Sequence, residues 1–246
     1  MEFSTQELEQ AIARAVEGVD AGAAQREYRE QNECLFLPRF LPPEIVERWF
    51  VPQVDALRPN VHRNYVPGHK KGGSIDFYTL SEKAPIFSAL YRSPSLIGFL
   101  RRLTGTSLDL CPDNDPHACA LYFYTEPGDH MGFHYDTSYY RGARYTVLMG
   151  LVQRTEHCRL LAHFWKGDPA REREAQIAYG PGALVIFNGD KLYHAVSPLE
   201  AGEERIVLTM EYVTDPRMGR LHRIFSNMKD AFAYFGVRAL LRRPRR

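Results

Sequence analysis

A mainly β fold with flanking α-helices, the strands closing a barrel, is the class this chain predicts, on three observations. From residue 118 to about 214, short apolar, aromatic and β-branched runs alternate with turn residues, as in Leu121-Tyr122-Phe123-Tyr124 and Tyr145-Thr146-Val147-Leu148-Met149. Before that stretch, and again after Met218, apolar residues recur at helical spacing instead. The chain has 246 residues and 44% hydrophobic content, enough to bury a full core as one domain. Within that domain, residues 1–105 read as helical support plus a polar loop, 118–214 as the barrel core, and 218–246 as a C-terminal helix with a basic tail.

Ser4 and Glu7 make a capping box, and Leu8, Ile12, Ala15, Val16 and Val19 follow at helical spacing, so a first helix starts there and packs outside the barrel. Gly18 and Gly22 interrupt its polar continuation toward Glu30. Cys34-Leu35-Phe36-Leu37 reads as a strand stopped by Pro38, and Pro42-Pro43 opens a second helix whose Ile45, Val46, Trp49, Phe50 and Leu57 share a face. Residues 59–83 are polar, aromatic and Gly-rich, with His62, Arg63, Tyr65, His69, Lys70, Lys71, Gly72 and Gly73 close together. The expectation is a long loop, either solvated surface or a lid that brings Arg63 and His62 to a substrate anion. Two helices follow, at 84–91 and from 94 to about 103, the second stopped by Gly105. Residues 109–116 are turn-rich, and the strand pattern begins beyond them. In the tail, Met228, Ala231, Phe232, Phe235 and Leu240 offer an apolar helical face, and the last nine residues hold five Arg.

Composition excludes several function classes. Lys plus Arg (31) nearly balance Asp plus Glu (30), so the body of the chain is no electrostatic nucleic-acid binder, and the basic end reads as a solvated tail or a weak contact with an anionic surface. Four Cys, at 34, 111, 119 and 158, form no Cys-x-x-Cys pair, which speaks against a structural zinc site and a disulfide framework. No stretch approaches the roughly 20 apolar residues of a membrane span, and the start lacks a signal-peptide pattern; a cytoplasmic location is expected. Oligomeric state is not legible.

The chemistry concentrates in Gly132-Phe133-His134-Tyr135-Asp136-Thr137. Residues i and i+2 of an extended segment face one way, so His134 and Asp136 present an imidazole and a carboxylate side by side while Tyr135 turns away. A third ligand comes best from His194, which follows the buried-strand run Gly182-Ala183-Leu184-Val185-Ile186-Phe187. Two His and one carboxylate on one face of a metal leave positions open, as in non-haem Fe(II) oxygenases, although zinc in some hydrolases uses the same set. Arg205 favours iron. In Arg205-Ile206-Val207-Leu208-Thr209-Met210-Glu211 the residues Arg205, Val207, Thr209 and Glu211 share a face, which puts a guanidinium inside the barrel where its planar fork fits a carboxylate.

His134-x-Asp136, a distant His194 and Arg205 beyond it resemble the pattern of the Fe(II)- and 2-oxoglutarate-dependent dioxygenases. Tyr124-Thr125-Glu126-Pro127-Gly128 resembles the Tyr-x-Pro-Gly lead-in of prolyl-hydroxylase-like members with one extra residue, and the likeness covers about residues 120–215. The resemblance implies a double-stranded β-helix, or jelly roll, with the site at its open mouth. It implies Fe(II) held by His134, Asp136 and His194 as catalytic ligands, 2-oxoglutarate clamped by Arg205, and O2 as oxidant. The cosubstrate would yield succinate and CO2, and an unactivated C–H bond of a small-molecule substrate would be hydroxylated. Residues 59–83 are similar to a branch with free-amino-acid hydroxylases and lysine halogenases, so a small polar substrate, a free amino acid or a derivative, is expected. Halogenases of that branch have a small residue where this chain has Asp136, which speaks against halogenation; desaturation, cyclisation and a non-catalytic binding barrel remain alternatives. Tyr122 and Tyr124 read either as core aromatics or as hydroxyl donors to the cosubstrate. His130 is a second-layer, substrate-binding or solvated residue, and Glu126, Thr137, Asn188 and Glu211 are further candidates for substrate binding.

Overall fold

The computed structural model describes residues 4–136 and 140–217. Thr137 and the expected C-terminal helix and basic tail lie outside the described residues. Among the described residues twelve strands form one wholly antiparallel sheet: β1 (Cys34–Leu37), β2 (His62–Val66), β3 (Lys70–Ile75), β4 (Asp109–Leu110), β5 (Cys119–Tyr124), β6 (His130–His134), β7 (Arg144–Arg154), β8 (Leu160–Phe164), β9 (Arg173–Ile177), β10 (Leu184–Asn188), β11 (Tyr193–Val196) and β12 (Glu204–Val213). Their spatial order is β1-β10-β7-β12-β5-β3-β6-β11-β8-β9, with β2 attached to β3 and β4 to β12. The sheet curls over on itself as a jelly roll.

Period-2 alternation decides what each face of that sheet does. On β12, Ile206, Leu208 and Met210 are buried in one core with Leu121 and Phe123 of β5, Val147 and Met149 of β7, and Leu184 and Ile186 of β10. Helices α1 (Thr5–Glu17), α2 (Ala21–Glu30), α6 (Pro85–Tyr91) and α7 (Pro94–Thr104) cover this outer face through Leu8, Ile12, Tyr28, Phe87 and Leu100. Full burial of one such side chain stabilises by about 1.5–3 kcal/mol, so this layer is the main source of cohesion. The opposite face lines the barrel. There Leu148, Val185, Phe187 and Val207 form one apolar cluster and Ala120, Tyr124, Met131 and Val196 another.

The expected capping box of α1 is present, and Gly18 ends that helix before α2 begins. The second expected helix is broken into α3 (Pro43–Ile45), a π-helical turn (Val46–Phe50) and α4 (Val51–Leu57), with Pro52, which has no N–H to donate, just beyond the turn.

Residues 59–83 correct the sequence reading. They are no lid loop: β2 and β3 make a hairpin, and β3 is an integral wall strand, its Gly73-Ser74-Ile75 paired with β5 and its Lys70-Lys71 with β6. Helix α5 (Phe77–Lys83) follows, capped by Asp76, which accepts a 2.7 Å hydrogen bond from the Thr79 N–H. Glycine is poor in strands and reads as a turn signal, but a Cβ at Gly73 would lie 2.4 Å from Val61 Cγ1 and 3.2 Å from Phe123 Cβ. The sheet needs glycine there because another side chain fills the space.

Gly182, where β7 meets the chain before β10, is tighter still. Its φ of 81° is left-handed and a Cβ would lie 2.1 Å from the Leu41 carbonyl oxygen. Gly182→Ala is expected to cost more than about 2 kcal/mol, because both the backbone conformation and the contact oppose a side chain. Urea denaturation checks this: the midpoint should fall at unchanged slope, and a wild-type midpoint would refute it.

Candidate metal centre

Strands β6 and β11 run antiparallel with His134 opposite His194 and Met131 opposite Val196. Three steps along β6 therefore match two along β11, so β6 carries a bulge. The extra residue reverses the alternation, and Met131, buried in the barrel interior, and His134 both face inward. Gly132 lies in the bulge because the hairpin turn presses on it: its N–H donates to the His69 carbonyl at 2.6 Å, and a Cβ would lie 3.1 Å from two carbonyl oxygens, those of Gly68 and His69.

His134, Asp136 and His194 converge so that one ligand atom from each lies within 4.8 Å of the others. His134 Nε2 is 3.3 Å from Asp136 Oδ1, and His194 Nε2 is 3.8 Å from Asp136 Oδ2. The Nδ1 of His134 is 2.8 Å from the Gly132 carbonyl, and the Nδ1 of His194 is 3.1 Å from that of Leu192. A carbonyl only accepts, so each Nδ1 carries the proton and each Nε2 points its lone pair at the shared space. Burial lowers His194 to about 4, with Asp136 opposing and His134 reinforcing the shift, which keeps it a neutral ligand near pH 7. Burial alone would raise Asp136, but the imidazoles of His194 and His134 beside it bring it well below the usual carboxylate range. As predicted, Tyr135 turns outward, its ring tilted against that of Tyr193 at 5.0 Å on the far face.

Asp136 is held from behind. Thr146 Oγ1 is 2.7 Å from Asp136 Oδ2 and 2.9 Å from Glu211 Oε2, and Arg144 Nε donates to the same Glu211 oxygen at 2.8 Å. A hydroxyl has one proton to give. Burial pushes Glu211 up against the pull of Arg144, while Asp136 is held low, so the Thr146 proton goes to Asp136, the stronger anion of the two. Gly189 packs on the other side, where a Cβ would lie 2.7 Å from the Asp136 carbonyl oxygen and 2.8 Å from its Cβ. Sequence reasoning missed Thr146, Arg144 and Gly189. Thr146 was legible as the residue opposite Glu211, but only once the β7–β12 register is known.

Arg205 faces into the barrel as its alternation predicted, only 2% exposed. It donates to the Tyr179 hydroxyl at 2.5 Å, and its guanidinium carbon lies 5.2 Å from the centre of the Tyr124 ring. Burial works against its charge, and among the described residues its leading polar neighbours are the hydroxyls of Tyr179 and Tyr124 and the thiol of Cys158. A buried guanidinium beside neutral groups has the geometry and charge to receive a carboxylate. Tyr122, two residues from Tyr124 on the same face, has the Lys70 amine 4.9 Å from its ring centre.

The other candidates lie apart. Arg63 donates to Asp129 at 2.6 Å and Thr125 at 3.2 Å and pairs with Glu126 at 3.0 Å, so Arg63 and Glu126 tie the hairpin to the β5–β6 turn. His62 is exposed at the start of β2, and His130 Nδ1 lies 2.8 Å from the Gly128 carbonyl. Asn188 gives its amide to Glu33 at 2.8 Å and accepts from the Asp190 N–H. Of the substrate candidates among the described residues, Glu211 alone is joined to the triad, through Thr146.

The fold is that of the iron- and 2-oxoglutarate-dependent oxygenases. Similar solved structures include the epimerase SnoN in complex with Fe3+, alpha ketoglutarate and nogalamycin RO (TM-score 0.63, 13% identity, covering 78% of this chain and 83% of that one). The carbocyclase SnoK from nogalamycin biosynthesis superposes with TM-score 0.64 at 15% identity, over 85% and 92% of the two chains. A prolyl hydroxylase from Trichoplax adhaerens, in complex with a hypoxia inducible factor peptide fragment, gives 0.63 at 15% identity over 90% and 94%. No protein-family model and no curated protein sequence matches the chain. Among the described residues no helix is long and apolar enough to cross a membrane.

Thr146→Val should loosen Asp136 with little change of shape. Loss of such a supporting hydrogen bond typically costs about 10–100-fold in metal affinity, and calorimetric titration with Co(II) would measure it. Wild-type affinity in the variant would show that Thr146 does not orient the ligand.

Proposed function

We propose that the chain is an Fe(II)- and 2-oxoglutarate-dependent oxygenase that hydroxylates an unactivated C–H bond of a small polar substrate, a free amino acid or a derivative. The observation that carries this is the pairing, inside one barrel, of a two-His, one-carboxylate set with a buried Arg205 whose leading polar neighbours among the described residues are the neutral Tyr179, Tyr124 and Cys158. The donor set fits Fe(II), and the Arg205 pocket fits the far carboxylate of a dicarboxylic acid. Once bound, iron, 2-oxoglutarate and O2 supply the oxidation, with succinate and CO2 as the cosubstrate's products.

The chain's own groups supply position. The His134 and His194 Nε2 atoms and an Asp136 oxygen hold the metal on one face, and the carbonyls of Gly132 and Leu192 fix the imidazole orientations. Arg205, steadied by Tyr179 and by the ring of Tyr124, anchors the cosubstrate. Leu148, Phe187 and Val207 keep water from the walls around it. Asp136 itself favours hydroxylation over halogenation, since the carboxylate takes the position a halide would need. SnoN and SnoK are an epimerase and a carbocyclase, so outcomes other than hydroxylation stand as the second reading: product mass separates a gain of oxygen from a loss of two hydrogens, and an epimer, equal in mass to its substrate, is told by its chromatographic mobility.

Replacing His134, Asp136 or His194 with Ala is expected to abolish Fe(II)-dependent succinate formation while circular dichroism stays native; full turnover by any one variant would remove that residue from the ligand set. Arg205→Ala should weaken 2-oxoglutarate binding by roughly 1.5–3 kcal/mol, the worth of a charged hydrogen bond, and leave metal affinity unchanged. Anaerobic titration of the visible absorption that develops when 2-oxoglutarate joins Fe(II) reads this directly. For the substrate, amino acids, derivatives, peptides and fatty acids incubated with Fe(II), 2-oxoglutarate and O2 should show a gain of one oxygen on an amino acid or derivative. Turnover confined to peptides or lipids would overturn the small-substrate reading.

A further inference from the structure

The two residues that flank His134 in the chain, Phe133 and Tyr135, are 43% and 37% exposed, and among the described residues just one other large hydrophobic side chain is so open, Tyr65 on the hairpin. Period-2 alternation explains their direction but not their kind, since the outer positions of a solvated strand are ordinarily polar. Both rings rest on a third, that of Tyr193. Phe133 stacks on it with 5.1 Å between ring centres and 19° between planes, and Tyr135 is tilted against it at 5.0 Å. Tyr193 immediately precedes His194, so every ring of the cluster is the chain neighbour of a metal ligand.

The ladders show what such a cluster is for. β11 pairs with β8 without interruption, from Tyr193 opposite His163 to Val196 opposite Leu160. On its other flank the register with β6 is broken by the bulge, and its last position is His134 opposite His194. Asp136 lies two residues past that end, although a ligand set has to be held to within about 0.5 Å of its productive geometry. Thr146 and Gly189 hold Asp136 from within. Continued by one residue, the β6–β11 register would set Tyr135 opposite Tyr193, and the contact between their rings takes the place of a further rung. Tyr193 is a firm post for it, fixed in the β8 ladder and with the Lys166 amine 3.2 Å from its ring centre.

We infer that Tyr193 is a positioning residue for the metal centre: from outside the barrel, through Tyr135 and Phe133, it fixes the backbone from which Asp136 and His134 reach the metal. This rests on the metal-centre reading above. His134 and His194 face inward and these rings face outward, so any effect of the cluster on a bound metal passes through the ligands. The ring is what the role needs, and the Tyr193 hydroxyl is not.

The test uses the full chain as wild type, Tyr193→Ala, Tyr193→Leu, Tyr193→Phe, Tyr135→Ala and the double variant Tyr135→Ala with Tyr193→Ala. Calorimetric titration with Co(II) gives affinity, the visible absorption of bound Co(II) reports the arrangement of its ligands, and the thermal midpoint of the metal-free chains reports the fold. Tyr193→Ala is expected to bind Co(II) roughly tenfold or more weakly, the loss typical of a group that orients a metal ligand, and to change the absorption. Tyr193→Phe keeps the ring and should match wild type in both. Because Tyr135 and Tyr193 act through one contact, the double variant should lose no more than the larger single loss. Should Tyr193→Ala not fold, Tyr193→Leu, which keeps apolar bulk on the strand, carries the same expectation. A folded Ala or Leu variant with wild-type affinity and absorption overturns the inference, and a lowered midpoint beside unchanged affinity and absorption does so too, because the rings would then serve stability alone. Additive losses in the double variant overturn it equally. Wild type that fails to bind Co(II) strikes the metal-centre reading and this inference with it, whereas a wild type that binds beside unaltered variants strikes this inference alone.

Discussion

The site depends on one extra residue in β6. A regular strand would alternate Met131, Phe133 and Tyr135 on one face and His130, Gly132 and His134 on the other, putting the first ligand outside the barrel. The bulge between Met131 and His134 reverses that order, so a core residue and a metal ligand share the inner face and His134 comes opposite His194. The hairpin carrying β3 holds the bulge in place, since the Gly132 N–H is taken by the His69 carbonyl and a Cβ at 132 would press on the Gly68 and His69 carbonyl oxygens at 3.1 Å. Metal geometry is thus coupled to a hairpin that supplies no ligand.

Charge inside the barrel is segregated. Asp136 and Glu211 stand with Arg144 at the metal, while Arg205 and Lys70 sit over the tyrosines of β5. Each buried ion costs several kcal/mol, and a single hydrogen bond such as that from Arg205 to Tyr179 returns about 1.5–3 kcal/mol at best. The interior is therefore built at the expense of stability, which the outer apolar layer between sheet and helices supplies. A ligand with an anionic group relieves part of that cost on binding, so affinity and unliganded stability are opposed by construction.

Much of this was legible in the residues. The triad and Arg205 stand out because imidazole, carboxylate and guanidinium are rare on apolar strands, and period-2 alternation correctly placed Arg205, Val207 and Glu211 inside. What escaped was set by contacts between segments distant in sequence. Gly72 and Gly73 read as turn residues because glycine has little intrinsic strand preference, whereas their place in β3 follows from the bulk of Val61 and Phe123 on other segments. Arg63 looked like an anion reader because the sequence does not reveal that Asp129, fully buried in the β5–β6 turn, waits for it. Lys70 looked like its exposed neighbour Lys71 because one residue of register separates the barrel interior from solvent.

That register also bears on how a ligand is recognised. A lid would discriminate by closing, but β3 is bonded to β2 on one flank and to β5 and then β6 along the other. Asp129 binds the hairpin further, accepting at one oxygen from the Thr125 and Glu126 N–H groups and at the other from Arg63. Ladder bonds contribute about 1 kcal/mol each and the buried charge pair more, so swinging this hairpin open would cost several kcal/mol. A small ligand would have to provide that much difference in affinity between open and closed states to drive such a motion. Selection by a fixed group is cheaper: Arg205 stays where β12 and its bond to Tyr179 hold it, and a ligand is chosen by whether its charge reaches it.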